Sequence, residues 1–143
     1  MENNNNIYAV IDTNVIVSAL ISSNDKSNPT VIVRAVLRGE IKPVYNDEIL
    51  SEYTEVLSRD KFHIQKSDID LVISHIIKIG LKVERKEAVG EIFPDPKDVV
   101  FYEVALSKED SYLVTGNIKH FPKVDFVVTP AEMLAIINEN ELK

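Results

Sequence analysis

The chain contains no cysteine, which excludes disulfide staples, thiolate zinc sites and a cysteine nucleophile. Glycine is scarce, at 4 of 143 residues, and no glycine-rich phosphate loop occurs. Of the 3 histidines, no two stand at the spacing of a zinc site. No basic-then-apolar leader opens the chain, and no apolar run approaches the ~20 residues that span a bilayer. The expectation is therefore a cytoplasmic protein without membrane association. Positive charge is also short: 16 Lys+Arg against 23 Asp+Glu leave a net charge of −7. That argues against tight, sequence-blind binding to long nucleic acid, because phosphate affinity comes from clustered cations. Nucleic acid stays open as a substrate, since an acidic cluster loaded with Mg²⁺ or Mn²⁺ presents a different local charge.

What is present fits one globular domain. A chain of 143 residues, 45% hydrophobic and 27% charged, is long enough to bury most of its unfolded surface. Residues 1–6, with four consecutive asparagines, read as a frayed tail, and residues 7–143 as one domain without linker or internal repeat. The continuous apolar run Ile7–Ile11 predicts a strand covered on both faces, as in a parallel sheet. An apolar-periodic stretch opens at Asp12, Thr13 and Asn14, and a second helix carries Pro29 in its first turn and stops at Gly39. Ile41–Tyr45 reads as a strand. Asn46 or Asp47 caps a helix to about Arg59, and Ser67 with Asp68 starts another that ends at Gly80 in a left-handed C-cap. Strands are expected at 81–84, 112–115 and 126–128, with helices at 95–107 and from Pro130 to about Asn138. Strands alternating with helices imply a three-layer α/β/α domain around a parallel sheet.

In such sheets ligands bind beyond the carboxyl ends of the strands. Asp12 ends the first strand and Asn117 follows the strand at 112–115. Asp12 is equally well suited to cap the next helix. On the helix after Asn46, Ile49, Tyr53, Val56 and Leu57 form one apolar arc at ~100° per residue. Glu52 falls at its border, where a carboxylate is half-inserted, either as a rim glutamate or as a ligand. Asp98 lies in the first turn of its helix, on the face of Phe101, Tyr102 and Ala105; with Asp95 as N-cap the pair also resembles a capping box. Acids so dispersed point to an oxygen-ligand site for Mg²⁺ or Mn²⁺. Lys119 and His120, after a strand end, are candidates to touch phosphate. Arg34, Arg38, Arg59, Lys61 and Lys66 are candidates for a modest basic rim. His63 and His75 have no assigned role.

These motifs resemble the PIN-domain family. The resemblance rests on residues 11–15 (Ile-Asp-Thr-Asn-Val), 49–57 around Glu52, 95–105 around Asp95 and Asp98, and 112–117 ending in Gly116 and Asn117. Order and spacing match over roughly residues 7–137, and the nearest subgroup is the single-domain bacterial and archaeal members regarded as toxins of toxin–antitoxin pairs. The resemblance implies a four- or five-stranded parallel sheet and a metal-dependent ribonuclease. It makes Asp12, Glu52 and Asp98 the catalytic, metal-binding acids. Asn117 stands where many members carry aspartate; its carbonyl oxygen still reaches a metal or its water, with one negative charge fewer. Thr13 or Asn14 is then expected to offer a hydroxyl or amide to the substrate phosphate or to the outer shell of the metal. A homodimer and an antitoxin protein are implied partners beside RNA. Two rivals remain: a non-catalytic module that keeps the fold, and a small-phosphate hydrolase with Asp12 as nucleophile, for which Asn14 stands where a second acid is usual.

Overall fold

The computed structural model describes residues 6–87, 90, 91 and 93–141. The expected tail thus lies outside the described residues except for Asn6. Five strands, β1 (Ile7–Ile11), β2 (Ile41–Tyr45), β3 (Leu81–Lys82), β4 (Tyr112–Val114) and β5 (Val127–Val128), form one sheet of order β3-β2-β1-β4-β5. All four pairings are parallel. Six helices accompany it: α1 (Thr13–Ile21), α2 (Asn28–Leu37), α3 (Asp47–Leu57), α4 (Lys66–Ile79), α5 (Val99–Leu106) and α6 (Pro130–Glu141). Helix α5 packs across β1, β2 and β4; α2 and α4 pack against β2, with α2 also meeting α1 and α6. The result is the expected α/β/α layering with the five-stranded form of the sheet.

The central strand follows its composition. Ala9, Val10 and Ile11 are buried in β1, as a strand covered on both faces requires. The chain leaves β1 for β2 and β3 on one side, then returns to place β4 and β5 on the other. The order therefore reverses between β1 and β4, and the crevice at their carboxyl ends is where such folds bind ligands. Local caps agree with the reading: the Ser27 hydroxyl accepts from the Thr30 N–H in α2, and the Asn46 carbonyl oxygen accepts from the Ile49 N–H (2.9 Å) in α3.

Several expectations change. The third strand is two residues rather than four, and α6 continues to Glu141. Helix α4 begins at Lys66 behind Gln65, with no side-chain cap from Ser67 or Asp68. The helix after Asp95 opens with a 3₁₀ turn, Pro96–Asp98. Asp95 caps it through Lys97 N–H (3.0 Å), but Asp98 does not close a capping box, because its carboxylate turns to His120.

Gly80 is not in the left-handed region, with φ −81° and ψ 177°. Glycine is needed there for space. A Cβ would strike the Ile76 carbonyl oxygen, come within 2.6 Å of the Pro43 carbonyl oxygen, and meet Tyr45 Cε1 at 3.0 Å. Two of these three atoms are backbone and cannot swing away. Gly80→Ala is expected to destabilise the fold by about 1–3 kcal/mol, the usual scale of overpacking, with a melting temperature several degrees lower. An unchanged melting temperature would mean that α4 and β2 separate freely.

Candidate active site

Asp12 directly follows β1 and precedes α1, so backbone geometry alone holds its Cα at the carboxyl edge of the sheet. Its N–H donates to the Val114 carbonyl of β4 (2.9 Å). The side chain does not cap α1. Instead its Oδ2 accepts from Thr115 Oγ1 at 2.7 Å and from Asn14 Nδ2 at 3.2 Å. Asp12 is only 6% exposed. Burial pushes its carboxyl up to about 6; the Thr115 hydroxyl opposes that rise, while the nearby Asp98 and Glu52 charges add to it.

Glu52 comes from α3, on the edge of the buried face formed by Ile49, Tyr53 and Leu57, as the helical wheel requires. Its neighbour Tyr53 donates from its hydroxyl to the Ile11 carbonyl oxygen (2.5 Å), tying α3 to the last residue of β1. Tyr53 is fully enclosed, and burial, then the Asp12 charge, keeps its phenol neutral. The tie sets Glu52 beside Asp12, and Thr13 Oγ1 donates to Glu52 Oε2 at 3.3 Å.

Asp98 enters from the third side, between the 3₁₀ turn and α5, with a side chain 15% exposed. Burial raises its carboxyl above the usual aspartate range, helped by Asp95, and opposed by His120, whose Nδ1 lies 3.2 Å from Asp98 Oδ2. Asn117 follows β4; its N–H donates to Thr115 Oγ1 at 2.9 Å. Asp12, Glu52, Asp98, Asn117, Thr13, Asn14 and His120 all line one cleft of about 360 Å³.

Two further candidates take distinct places. Lys119 points into the adjoining cleft, lined by Phe121, Pro122 and Val128, rather than at the acids. The Asn14 amide is engaged at both ends, donating to Asp12 and accepting from Gly116 N–H (3.3 Å), so it braces β1 against β4. The basic rim reduces to Arg59, which lines the cleft while paired with Glu55. Arg38 pairs with Glu40, Lys66 with Asp70, Arg34 donates to the Asp25 carbonyl, and Lys61 stacks over Phe62.

The residue that sequence reasoning missed is Thr115. It is fully buried and serves Asp12 as donor and Asn117 as acceptor. A threonine closing a strand carries no local signal of that role. Lys97 and Phe62 also line the cleft and were not singled out.

A family model of the PIN domain matches residues 8–119 of the 143. The chain belongs to the PIN domain family. No curated protein and no solved structure matches it significantly. PIN domains are in general nucleases, and those nucleases typically use divalent metal ions. Among the described residues, no group of three or more His, Asp or Glu side chains is placed to hold a metal ion. The donor chemistry of this PIN domain nevertheless fits a hard cation. Mg²⁺ keeps several waters and binds through one or two carboxylates. Burial is the main cause of the upward shift of Asp12, and the charges of Asp98 and, less, Glu52 add to it. A cation there would relieve that part. No described helix is long and apolar enough to cross a membrane.

Proposed function

We propose that this PIN domain is a divalent-metal-dependent endoribonuclease that hydrolyses RNA phosphodiester bonds in the cytoplasm. The observation that carries the reading is the convergence of Asp12, Glu52 and Asp98, from three separate elements, on one cleft at the reversal of strand order. Asp12 and Asp98 hold Mg²⁺ or Mn²⁺, with Asn117 offering a neutral carbonyl oxygen. Bound there, the ion supplies positive charge to phosphate oxygens and lowers the pKa of a nearby water. Glu52, steadied by Thr13, orients the attacking water and accepts its proton. His120, 45% exposed beside Asp98, reaches toward the phosphate. Asn117 in place of an acid leaves the site one negative charge short, which favours a single ion over a pair. The protein is proposed to act as the toxin of a toxin–antitoxin system, as a homodimer restrained by an antitoxin protein.

The test is cleavage of a mixed-sequence RNA by purified protein with Mn²⁺ or Mg²⁺, with and without chelator, beside thermal melting across a metal titration. Metal-dependent cleavage is expected. A ligand of the folded state at 100 times its Kd adds about 2.7 kcal/mol, so melting should rise by several degrees. No cleavage, with melting indifferent to metal, would move the assignment to a non-catalytic module of the same fold.

A further inference from the structure

One buried side chain meets all three elements that carry the acids. Tyr53, 1% exposed, directly follows Glu52 on α3. Its hydroxyl donates to the carbonyl oxygen of Ile11, the residue before Asp12 at the end of β1. Its ring packs against that of Phe101 on α5, with centroids 6.3 Å apart, one turn beyond Asp98. The period of α3 explains the placement. Tyr53 shares the buried face with Ile49 and Leu57, and Glu52, ~100° around the helix, is carried to the rim of the cleft.

The three acids are not held equally. The peptide group that joins Ile11 to Asp12 is gripped on both sides, by the Tyr53 hydroxyl at its carbonyl and by the Val114 carbonyl at its N–H. The Asp12 carboxylate then accepts from Thr115 and Asn14, and Asp98 meets His120. Among the described residues, the Glu52 carboxylate accepts one hydrogen bond, from Thr13 Oγ1 at 3.3 Å. That is longer than the ~2.7 Å usual for a hydroxyl donor. The place of Glu52 is therefore set by how α3 is seated, and the Tyr53–Ile11 bond ties α3 directly to β1.

We propose that Tyr53 is a positioning residue of the reaction: its hydroxyl seats α3 so that Glu52 stands where it can serve the attacking water. The role of Glu52 rests on the nuclease reading above. Misplacing such a group by about 1 Å can lower a rate by up to ~10²-fold. Phenylalanine at this position keeps the ring and its contact with Phe101 and removes only the tie to β1.

Tyr53→Phe is expected to lower kcat for a single-stranded oligoribonucleotide about tenfold. KM should stay within about twofold of wild type. So should the Mn²⁺ dissociation constant, read from free Mn²⁺ by electron paramagnetic resonance, because Asp12 keeps its other holds. Gly80→Ala, a destabilised variant outside the cleft, should retain the wild-type kcat. In a Glu52→Gln background, adding Tyr53→Phe should change kcat by less than about twofold, since residues that act as a unit are not additive. A wild-type kcat in Tyr53→Phe, an undiminished tenfold loss in the Glu52→Gln background, or an equal loss in Gly80→Ala would each overturn the positioning role. So would parallel losses of kcat and Mn²⁺ affinity. Should wild type cleave no RNA, the nuclease reading falls, and a crystal structure of Tyr53→Phe decides the rest. A Glu52 carboxylate displaced by about 1 Å upholds the placement by Tyr53, and an unmoved one overturns it.

Discussion

Asp12→Asn is expected to lower RNA cleavage roughly a thousandfold or more, on the scale of removing a group that stabilises charge in the reaction, while the metal-free protein becomes more stable at neutral pH. Loss of activity follows from replacing the most buried acid of the cleft with a neutral amide. The gain in stability follows from the cost of keeping that acid ionised. In the folded chain Asp12 titrates near 6 rather than near the ordinary aspartate value of 3.8, chiefly through burial. The stability linked to a carboxyl raised in this way is fully present below pH 4 and is lost as pH climbs through 6. At about 1.4 kcal/mol per pH unit, the difference amounts to about 3 kcal/mol by pH 7.5. The asparagine keeps an oxygen for the Thr115 and Asn14 donors and carries no charge to bury. Melting curves without metal should therefore coincide for wild type and variant near pH 4 and separate by several degrees at pH 7.5. Added Mg²⁺ should narrow the gap by stabilising wild type only. A variant that cleaves at the wild-type rate would remove Asp12 from the site. A gap that fails to grow with pH would remove the buried charge.

The second large effect is expected from Thr115→Val, which conserves shape and deletes one hydroxyl. That hydroxyl donates to the Asp12 carboxylate at 2.7 Å and accepts from the Asn117 N–H. Hydrogen bonds to charged groups contribute about 1.5–3 kcal/mol, and this one favours the ionised acid. Without it the Asp12 pKa climbs further, and protons compete with metal over a wider range. The acid limb of the activity profile should move up by about one pH unit. The Mg²⁺ concentration for half-maximal rate should rise roughly threefold at pH 6.5 and less at pH 8, where Asp12 ionises regardless. Thr115→Ser keeps the hydroxyl and should restore both. A uniform loss of rate, independent of pH and metal, would mean that Thr115 acts only in packing.

Much of the candidate site is legible along the chain because its signals are local. Asp12 stands out as the polar residue that stops an apolar run. Glu52 stands out because a period of 3.6 separates Ile49, Tyr53 and Leu57 from Glu48 and Glu55 and leaves it on the border. Asp98 stands out beside the Asp95-Pro96 start signal, although that start proved to be a 3₁₀ turn. Lys119 and His120 were read together and separate in space. They share one short turn of three residues per rotation, so consecutive side chains diverge widely. One meets Asp98 and the other lines the neighbouring cleft. Gly80 reads as a left-handed cap because a glycine after a helix usually is one. Its constraint is space, and part of it, the carbonyl of Pro43, comes from a strand 37 residues earlier in the chain.

The sequence by itself determined which segments are strands and helices, that the sheet is parallel, and which acids stand at element ends. Periodicity, capping chemistry and continuous apolar runs act within a few residues, so they can be read without coordinates. Only the tertiary structure decided the strand order, the reversal between β1 and β4, and the partners of each acid. Thr115 and Asp12 are 103 positions apart. Whether that hydroxyl meets that carboxylate depends on β4 pairing beside β1, and packing of the whole core selects that pairing.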